Sequence, residues 1–319
     1  MGKGTGYRHS SMNEKTRRVL PTLPGHGPHP LTLNWPQMRT LKLYRHGVTM
    51  GTPPKKNAHL RAKRGTVEGW SESATRRMVQ FLRSVDENTL STASDDTPLR
   101  GYAITLTVRD CPPTADDWKR LRNAYFKRLT RLGVYRVHWV TEWQRRGVPH
   151  LHGAVWLPAD VPRGELLLNW VAVADEYGAK LRGQYSLEIN DTIGWFKYLS
   201  KHSARGVQHY QRHPENIPPA WKKKTGRVWG KTGDWQTHDP VAFSISDPAF
   251  YRLRRILRGW RLADARQTGN GFRIRSARNK LKSHTRELSN VRGASEWLEM
   301  GPSLAILDYL KGEGYEIEC

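Results

Sequence analysis

Short segments of the chain alternate between apolar and polar residues, which is the period of a β-strand with one buried face. In the segment 102–108, Ile104, Leu106 and Val108 alternate with Thr105 and Thr107. Such alternation predicts a strand whose apolar side faces a core. Three further strands are predicted on similar grounds: about 135–142, about 149–158 and 185–189.

Apolar residues at helical spacing lie between these segments. One helix is predicted to start at Thr114, with Asp117 completing a capping box, and to stop at Gly133. A second spans 163–177, and a third follows a cap at Asp191 or Thr192. The order is β-α-β-β-α-β-α, whose first six elements form the ferredoxin-like pattern. The predicted fold class is therefore α+β, a ferredoxin-like or RRM-like antiparallel sheet with basic N- and C-terminal extensions.

The remainder of the chain predicts a division into four parts. Residues 1–68 are basic with little periodicity and are expected to be a partly disordered arm, and residues 69–98 are expected to hold a helix and a linker. The ferredoxin-like core is expected at 99–205. Residues 206–319 are expected to be a basic region, loop-rich as far as a helix that opens at Asp247, with an acidic tail.

The charge of the chain adds a polyanionic partner to this picture. Lys and Arg total 53 against 29 Asp and Glu, which gives a net charge of +24 and a pI near 10.3. Such an excess is typical of proteins that bind nucleic acid. No apolar run predicts a membrane span or a signal peptide, and two cysteines do not make a disulfide framework. A cytoplasmic protein without membrane association is therefore expected.

Candidate metal ligands lie in the second and third predicted strands. His150 and His152 are separated by one residue, so both imidazoles project from one face of a strand. If the hairpin has the register that its length suggests, Glu142 joins them on that face. Three protein ligands of this kind leave positions open for substrate on a divalent ion. A His-x-His pair also arises by chance, and in that case the histidines only pack.

The third predicted helix carries a second candidate pair. Tyr198 and Lys201 are three residues apart and share one face of the helix. Taken alone, such a pair more often consists of a core tyrosine and a solvated lysine. Its position directly after the fourth strand of a sheet with the histidine pair favours a functional site.

These motifs resemble the HUH endonuclease superfamily, in particular the rolling-circle replication initiators of small phages and plasmids. The resemblance rests on a first strand with the sequence AITLTV at 103–108, then PHLHG at 149–153, then YLSK at 198–201, and it covers roughly residues 70–233. Gly194 stands one turn before Tyr198, where some members have a second tyrosine, so a single-tyrosine mechanism is implied.

The resemblance implies a specific chemistry. Glu142, His150 and His152 would hold Mg or Mn, and Tyr198 would attack a phosphodiester to form a 5′-phosphotyrosine link and a free 3′-hydroxyl, with Lys201 stabilising the phenolate. The implied partner is single-stranded DNA at a replication origin or hairpin, with host replication proteins as further partners. The implied location is the cytoplasm of the host cell.

Three alternatives stay open at this point. A relaxase or single-tyrosine transposase uses the same chemistry on other DNA, a ferredoxin-like module binds nucleic acid without catalysis, and a metal-dependent hydrolase forms no covalent intermediate. A nucleotide-binding loop at 230–232 is rejected, because Thr225 stands where its first glycine is needed and Trp229 is too bulky for backbone to approach a phosphate.

Overall fold

The computed structural model describes residues 38–51, 67–204, 209–279 and 294–319, all within one compact unit, Gln37–Cys319. In these residues the β-strands are β1 Arg39–Tyr44, β2 Gly47–Gly51, β3 Leu99–Thr107, β4 Arg136–Trp143, β5 Pro149–Pro158, β6 Tyr185–Glu188, β7 Trp229–Gly233, β8 Val241–Ile245, β9 Ala294–Trp297 and β10 Ile317–Glu318. The α-helices are α1 Glu72–Ser84, α2 Ala115–Arg131, α3 Gly164–Val173, α4 Thr192–Ala204, α5 Asp247–Gln267, α6 Gly271–Asn279 and α7 Met300–Gly312. None of these helices is long and apolar enough to cross a bilayer.

The first sheet has the strand order β6-β3-β5-β4-β7, with every neighbouring pair antiparallel. Its first four strands have the ferredoxin order, with the first and third strands of the motif, β3 and β5, in the centre. The predicted α+β, ferredoxin-like class is therefore confirmed. The fifth strand, β7, lies in a region expected to be loop-rich, and it includes residues 230–232, which form a strand rather than a phosphate-binding loop. β7 contains too few apolar residues for its sequence to predict a strand, and only its pairing with β4 identifies it.

Helix α2 begins where the sequence predicts. The Thr114 hydroxyl accepts from the Asp117 backbone N–H at 3.2 Å, and the Asp117 carboxylate accepts from the Thr114 N–H at 2.9 Å. This reciprocal pair satisfies two backbone donors that a helix start leaves open. Trp118 and Tyr125 are fully buried in the core, and the Trp118 indole donates to the hydroxyl of Thr141 on β4 at 3.1 Å.

Helices α1 and α4 cover parts of the other face of this sheet. Phe81 of α1 stacks on His138 of β4, with ring centroids 5.9 Å apart. Phe196 of α4 packs edge-on against Trp156 of β5 at 6.4 Å. Side chains that project from this face of β4 and β5 are therefore enclosed. The sequence predicts the cover by α4, whereas the position of α1 comes from the structure.

The second sheet, β10-β8-β1-β2-β9, comes from segments that are far apart in the chain. Its strands β1 and β2 lie within the segment 1–68, for which little regular structure was expected, while residues 1–37 and 52–66 of that segment lie outside the described residues. Leu41 and Leu43 do alternate with polar residues. A six-residue strand, however, becomes recognisable only with its partner, and β8 lies about 200 residues later.

Helices α5 and α7 complete this second layer. Helix α5 begins at Asp247, as the sequence predicts, and its apolar stripe packs on the sheet together with that of α7. The buried cluster between them is apolar: Leu41, Leu43, Val48, Met50, Phe243, Ile245, Ala249, Phe250, Leu253, Leu257, Ile306, Leu307 and Leu310.

Candidate metal centre and tyrosine helix

Strand register brings the candidate metal ligands together. Glu142 on β4 lies directly opposite His150 on β5, and His152 lies directly opposite Thr105 on β3. Residues opposite each other in an antiparallel ladder project from the same face, as do alternate residues along one strand. Glu142, His150 and His152 therefore share one face of the sheet, on the side opposite α2 and α3.

These three side chains, here called the Glu-His-His cluster, are buried and close to one another. The Glu142 Oε2 atom lies 3.5 Å from His152 Nε2 and 3.9 Å from His150 Nε2. One nitrogen or oxygen from each residue lies within 4.8 Å of the other two. Metal–ligand distances of about 2.0–2.2 Å place neighbouring ligand atoms about 3–4 Å apart. The donor set and its spacing fit a divalent ion.

Hydrogen bonds hold both imidazole rings. His152 Nδ1 lies 2.9 Å from the Thr105 hydroxyl, which leaves Nε2 on the side of Glu142. His150 Nδ1 is 3.5 Å from the Gln144 amide, and its Nε2 is 3.1 Å from the Gln211 amide nitrogen. Partners on the far nitrogen of a histidine ligand fix its tautomer and ring orientation. Gln211 touches the nitrogen that faces the cluster, so its amide is within reach of an ion bound there.

The carboxylate of Glu142 is held by a buried ion pair. Arg212 Nε donates to Glu142 Oε1 at 2.6 Å, and both side chains are inaccessible to solvent. The guanidinium lies 3.9 Å above the Trp70 ring. Burial lowers the pKa of Arg212, and the adjacent Glu142 charge opposes that shift. Oε1 of Glu142 accepts from Arg212, while Oε2 lies beside the two histidines.

Sequence reasoning missed Gln211 and Arg212, because they follow α4 in a segment without periodicity. No motif connects Arg212 with a glutamate 70 positions earlier. A basic residue in a polar segment usually lies in solvent, so only its burial identifies it.

His138 shares the face of the cluster but is not part of it. Its ring packs against those of Phe81 and Trp229, with centroid distances of 5.9 and 6.1 Å. Burial, with a smaller contribution from the Arg212 charge, lowers the pKa of His138 to about 3. This histidine is therefore neutral at physiological pH and serves as an aromatic packing element.

Tyr198 lies on the accessible side of α4. The buried residues Phe196 and Leu199 attach the helix to the sheet, whereas 41% of Tyr198 is exposed and its ring stacks on Trp195 at 5.1 Å. The interpretation of Tyr198 as a core residue is therefore wrong. Lys201 belongs to the same helix one turn later, but its side chain lies outside the described residues.

Comparison with known proteins gives a consistent result. The family model described as replication-associated protein ORF2/G2P matches residues 101–212, from β3 to the arginine that pairs with Glu142. The chain is 50% identical over 287 residues to the replication-associated protein G2P of Pseudomonas phage Pf3, covering 88% of this chain and 99% of that protein.

Two Xylella fastidiosa proteins named for a role in replication are also similar. The protein of strain 9a5c is 46% identical over 287 residues, covering 88% of this chain and 99% of its own length. The protein of strain Temecula1 is 47% identical over 267 residues, covering 82% and 99%. No solved structure matches the chain.

Proposed function

Because this chain belongs to the replication-associated protein ORF2/G2P family, we propose that it is a replication initiator that nicks single-stranded origin DNA through a covalent 5′-phosphotyrosine intermediate. The observation that carries the proposal is the buried Glu-His-His cluster, whose ligand atoms lie within 4.8 Å of one another on the sheet face that α4 partly covers. The proposal includes membership of the HUH endonuclease superfamily, which the motifs of the sequence support.

Glu142, His150 and His152 would hold the catalytic ion in this scheme. The mixed nitrogen and oxygen donors suit Mn, and the resemblance to HUH nucleases implies Mg or Mn. A bound ion would polarise the scissile phosphate and offset the charge that develops on it. Arg212 orients the Glu142 carboxylate through its hydrogen bond, and the Thr105 hydroxyl orients the His152 ring.

Tyr198 is the proposed nucleophile. Its phenolic oxygen attacks the phosphorus, the phenol proton is lost, and the bond from phosphorus to the 3′ oxygen breaks. The departing oxygen takes a proton and becomes the 3′-hydroxyl that primes synthesis. A phenol has a pKa of about 10, so a nearby cation is needed to stabilise the phenolate. Lys201, one helical turn away, is the proposed source of that charge.

The phosphotyrosine link conserves the energy of the phosphodiester. A free 3′-hydroxyl can displace Tyr198 by the reverse reaction, so strands are rejoined without a nucleotide cofactor. A relaxase or a single-tyrosine transposase would follow the same course. The names of the relatives favour a role in replication over these two.

Removing the phenolic oxygen of Tyr198 tests this proposal. Tyr198→Phe keeps the ring that stacks on Trp195, so the variant should fold and bind DNA yet form no covalent complex with single-stranded origin DNA and Mn. Tyr210→Phe is the matched control, because Tyr210 is also an exposed tyrosine and should be dispensable. Lys201→Ala should slow adduct formation without abolishing it. Denaturing gels of labelled DNA measure the adduct.

Mass spectrometry of the trapped adduct decides between the alternatives. A nucleotide on Tyr198 supports the proposal, and a nucleotide on another tyrosine refutes the assignment. Cleavage by Tyr198→Phe would identify a hydrolase that uses water. DNA binding without any cleavage by the wild-type protein would identify a non-catalytic binding module.

A further inference from the structure

The edge strand β6 extends the face of the Glu-His-His cluster. Tyr185 on β6 lies directly opposite Thr105 on β3, and Thr105 lies directly opposite His152 on β5. Opposite residues of antiparallel strands share a face. Tyr185, Thr105 and His152 therefore form one row across three strands, with Tyr185 at the open edge of the sheet. Two strand spacings separate Tyr185 from His152, about 10 Å.

The β6 side chains on the same face as the cluster are apolar and exposed. Tyr185 is 57% exposed, and Leu187, two residues later on the same face, is 43% exposed. Leu187 lies opposite Ala103 on β3, which lies opposite Ala154 on β5. In this second row, therefore, the side chains between Leu187 and the middle of the sheet are only methyl groups. Exposed apolar side chains at a sheet edge also invite aggregation, and proteins usually place charges there. Because Tyr185 and Leu187 are nevertheless exposed on the face of the Glu-His-His cluster, we interpret them as a binding surface.

The start of β6 is fixed in position. The buried Gln184 side chain accepts from the Thr107 backbone N–H at 2.8 Å and donates to the Lys180 carbonyl at 2.8 Å. These bonds hold the residue before Tyr185 against β3. The aromatic ring is thereby attached to a rigid strand, and the exposed cations Lys180 and Arg182 lie just before it in the chain.

We propose that Tyr185 and Leu187 form a stacking platform for an unpaired nucleobase of the DNA strand whose phosphate enters the Glu-His-His cluster. The platform rests on the proposed function, because it assigns a base-binding subsite to the same strand. Each nucleobase has a flat π-face that stacks on an exposed aromatic ring of a sheet, without hydrogen bonds that read the sequence. Arg182, three residues before Tyr185, supplies positive charge for a neighbouring phosphate, whereas Lys180 lies 3.8 Å from the Asp175 carboxylate.

Three variants test the platform by their affinity for single-stranded oligothymidine. Tyr185→Ser should weaken binding by about 10-fold, within the range found for removing one base–aromatic stack. Tyr185→Phe keeps the ring and should bind as the wild type does. Tyr251→Ser is the matched control, because Tyr251 is a 42% exposed tyrosine on α5 of the other sheet, and its loss should leave the affinity unchanged. Fluorescence anisotropy at fixed salt measures each dissociation constant.

Photo-cross-linking locates the stacked base. Oligothymidine that carries 5-iododeoxyuridine should cross-link to Tyr185, and mass spectrometry identifies the residue. Unchanged affinity of Tyr185→Ser, or cross-links confined to other residues, would overturn the platform. A phosphotyrosine adduct on Tyr185 would also overturn it, because that residue would then be a nucleophile.

The experiments distinguish failure of the proposed nicking reaction from failure of the stacking platform. Absence of any adduct with the wild-type protein overturns nicking through a phosphotyrosine intermediate, while the affinity series still decides the platform. An adduct on Tyr198 together with unchanged affinity of Tyr185→Ser upholds nicking and removes the platform.

Discussion

The two five-stranded sheets of this protein bury different kinds of side chain. On one face of the sheet β6-β3-β5-β4-β7, Glu142, His150, His152 and Arg212 are buried beside aromatic rings. The cluster between the sheet β10-β8-β1-β2-β9 and its helices consists of aliphatic residues and phenylalanines. Both sheets are antiparallel, and each is covered by helices. Ionisable groups such as Arg39 and His46 are also buried at the second sheet, but among the described residues only the first sheet brings three potential metal ligands together.

This difference distinguishes a functional site on the first sheet from a structural core at the second. A buried ion pair such as that of Arg212 with Glu142 is weak evidence for stability, because desolvation costs about as much as the attraction returns. Apolar side chains of the same volume would fill the space at least as well. Retaining a carboxylate and two imidazoles in such a place points to chemistry. Among the described residues, this is the one group of three potential ligands.

The helices next to the second sheet also expose positive charge. Helix α6 exposes Arg273, Arg275 and Arg278, and Arg258 of α5 donates to the Arg278 carbonyl at 3.2 Å. Exposed guanidinium groups attract phosphates over a distance without fixing one reacting atom. The first sheet is therefore expected to determine the chemistry, and the second to contribute to affinity for DNA.

The largest expected effect is the loss of the Glu-His-His cluster. His152→Ala should lower Mn affinity by more than about 100-fold, since removal of an outer partner of a metal ligand already costs about 10- to 100-fold. Nicking should vanish with it, whereas DNA binding should persist. Isothermal titration with Mn and a gel assay of cleavage measure the two effects. Full activity in EDTA would contradict a metal-dependent reaction.

His46→Ala is the matched control for this experiment. His46 is also buried and lies 2.7 Å from a glutamate oxygen, that of Glu87, but it belongs to the β1–β2 hairpin of the second sheet. Its loss should leave Mn affinity and nicking unchanged. An equal loss of metal affinity in both variants would mean that the two sheets do not differ in function.

A smaller effect is expected in the pH dependence of stability. The pKa of His138 is about 3 in the folded protein and about 6.5 in an unfolded chain, so between these values the unfolded state binds the extra proton. The free energy of unfolding should therefore fall as pH decreases below about 6.5, by about 3 kcal/mol at pH 4 from this group.

The variant His138→Phe keeps an aromatic ring against Phe81 and Trp229 and removes the titrating group. Urea unfolding at pH 7 and pH 4 should show a smaller decrease for this variant than for the wild type. Equal decreases would indicate that His138 is protonated in the folded protein.

The smallest expected effect concerns the arginines of α6. Replacing Arg273, Arg275 and Arg278 by alanine should flatten the dependence of log affinity for single-stranded DNA on log salt by up to about 2, from about 0.7 per phosphate contact. The chemical step at saturating DNA should not change. Anisotropy titrations at several salt concentrations give the slope.

A triple variant of α2 provides the comparison for this measurement. Lys127, Arg128 and Arg131 are exposed on the helix that covers the opposite face from the cluster. Replacing them by alanine should flatten the slope less. Equal flattening in both variants would indicate that DNA contacts depend on net charge alone.

The sequence by itself determined the features that depend on local periodicity. Thr114 and Asp117 start α2 because capping involves residues three positions apart. His150 and His152 share a face because side chains alternate along any strand. The same rule placed Glu142 correctly once a hairpin of ordinary register was assumed. The motif around Tyr198 was likewise visible in a single helical turn.

Only the tertiary structure decided which distant segments meet. Arg212 and Gln211 reach the cluster from about 60 to 70 positions away. The β1–β2 hairpin gains its partner β8 from about 200 positions away. The exposure of Tyr185 on the edge strand and of Tyr198 on the outer side of α4 follows from how the strands and helices pack. Periodicity carries information over one or two turns of chain, whereas these contacts are selected by the packing of the whole fold.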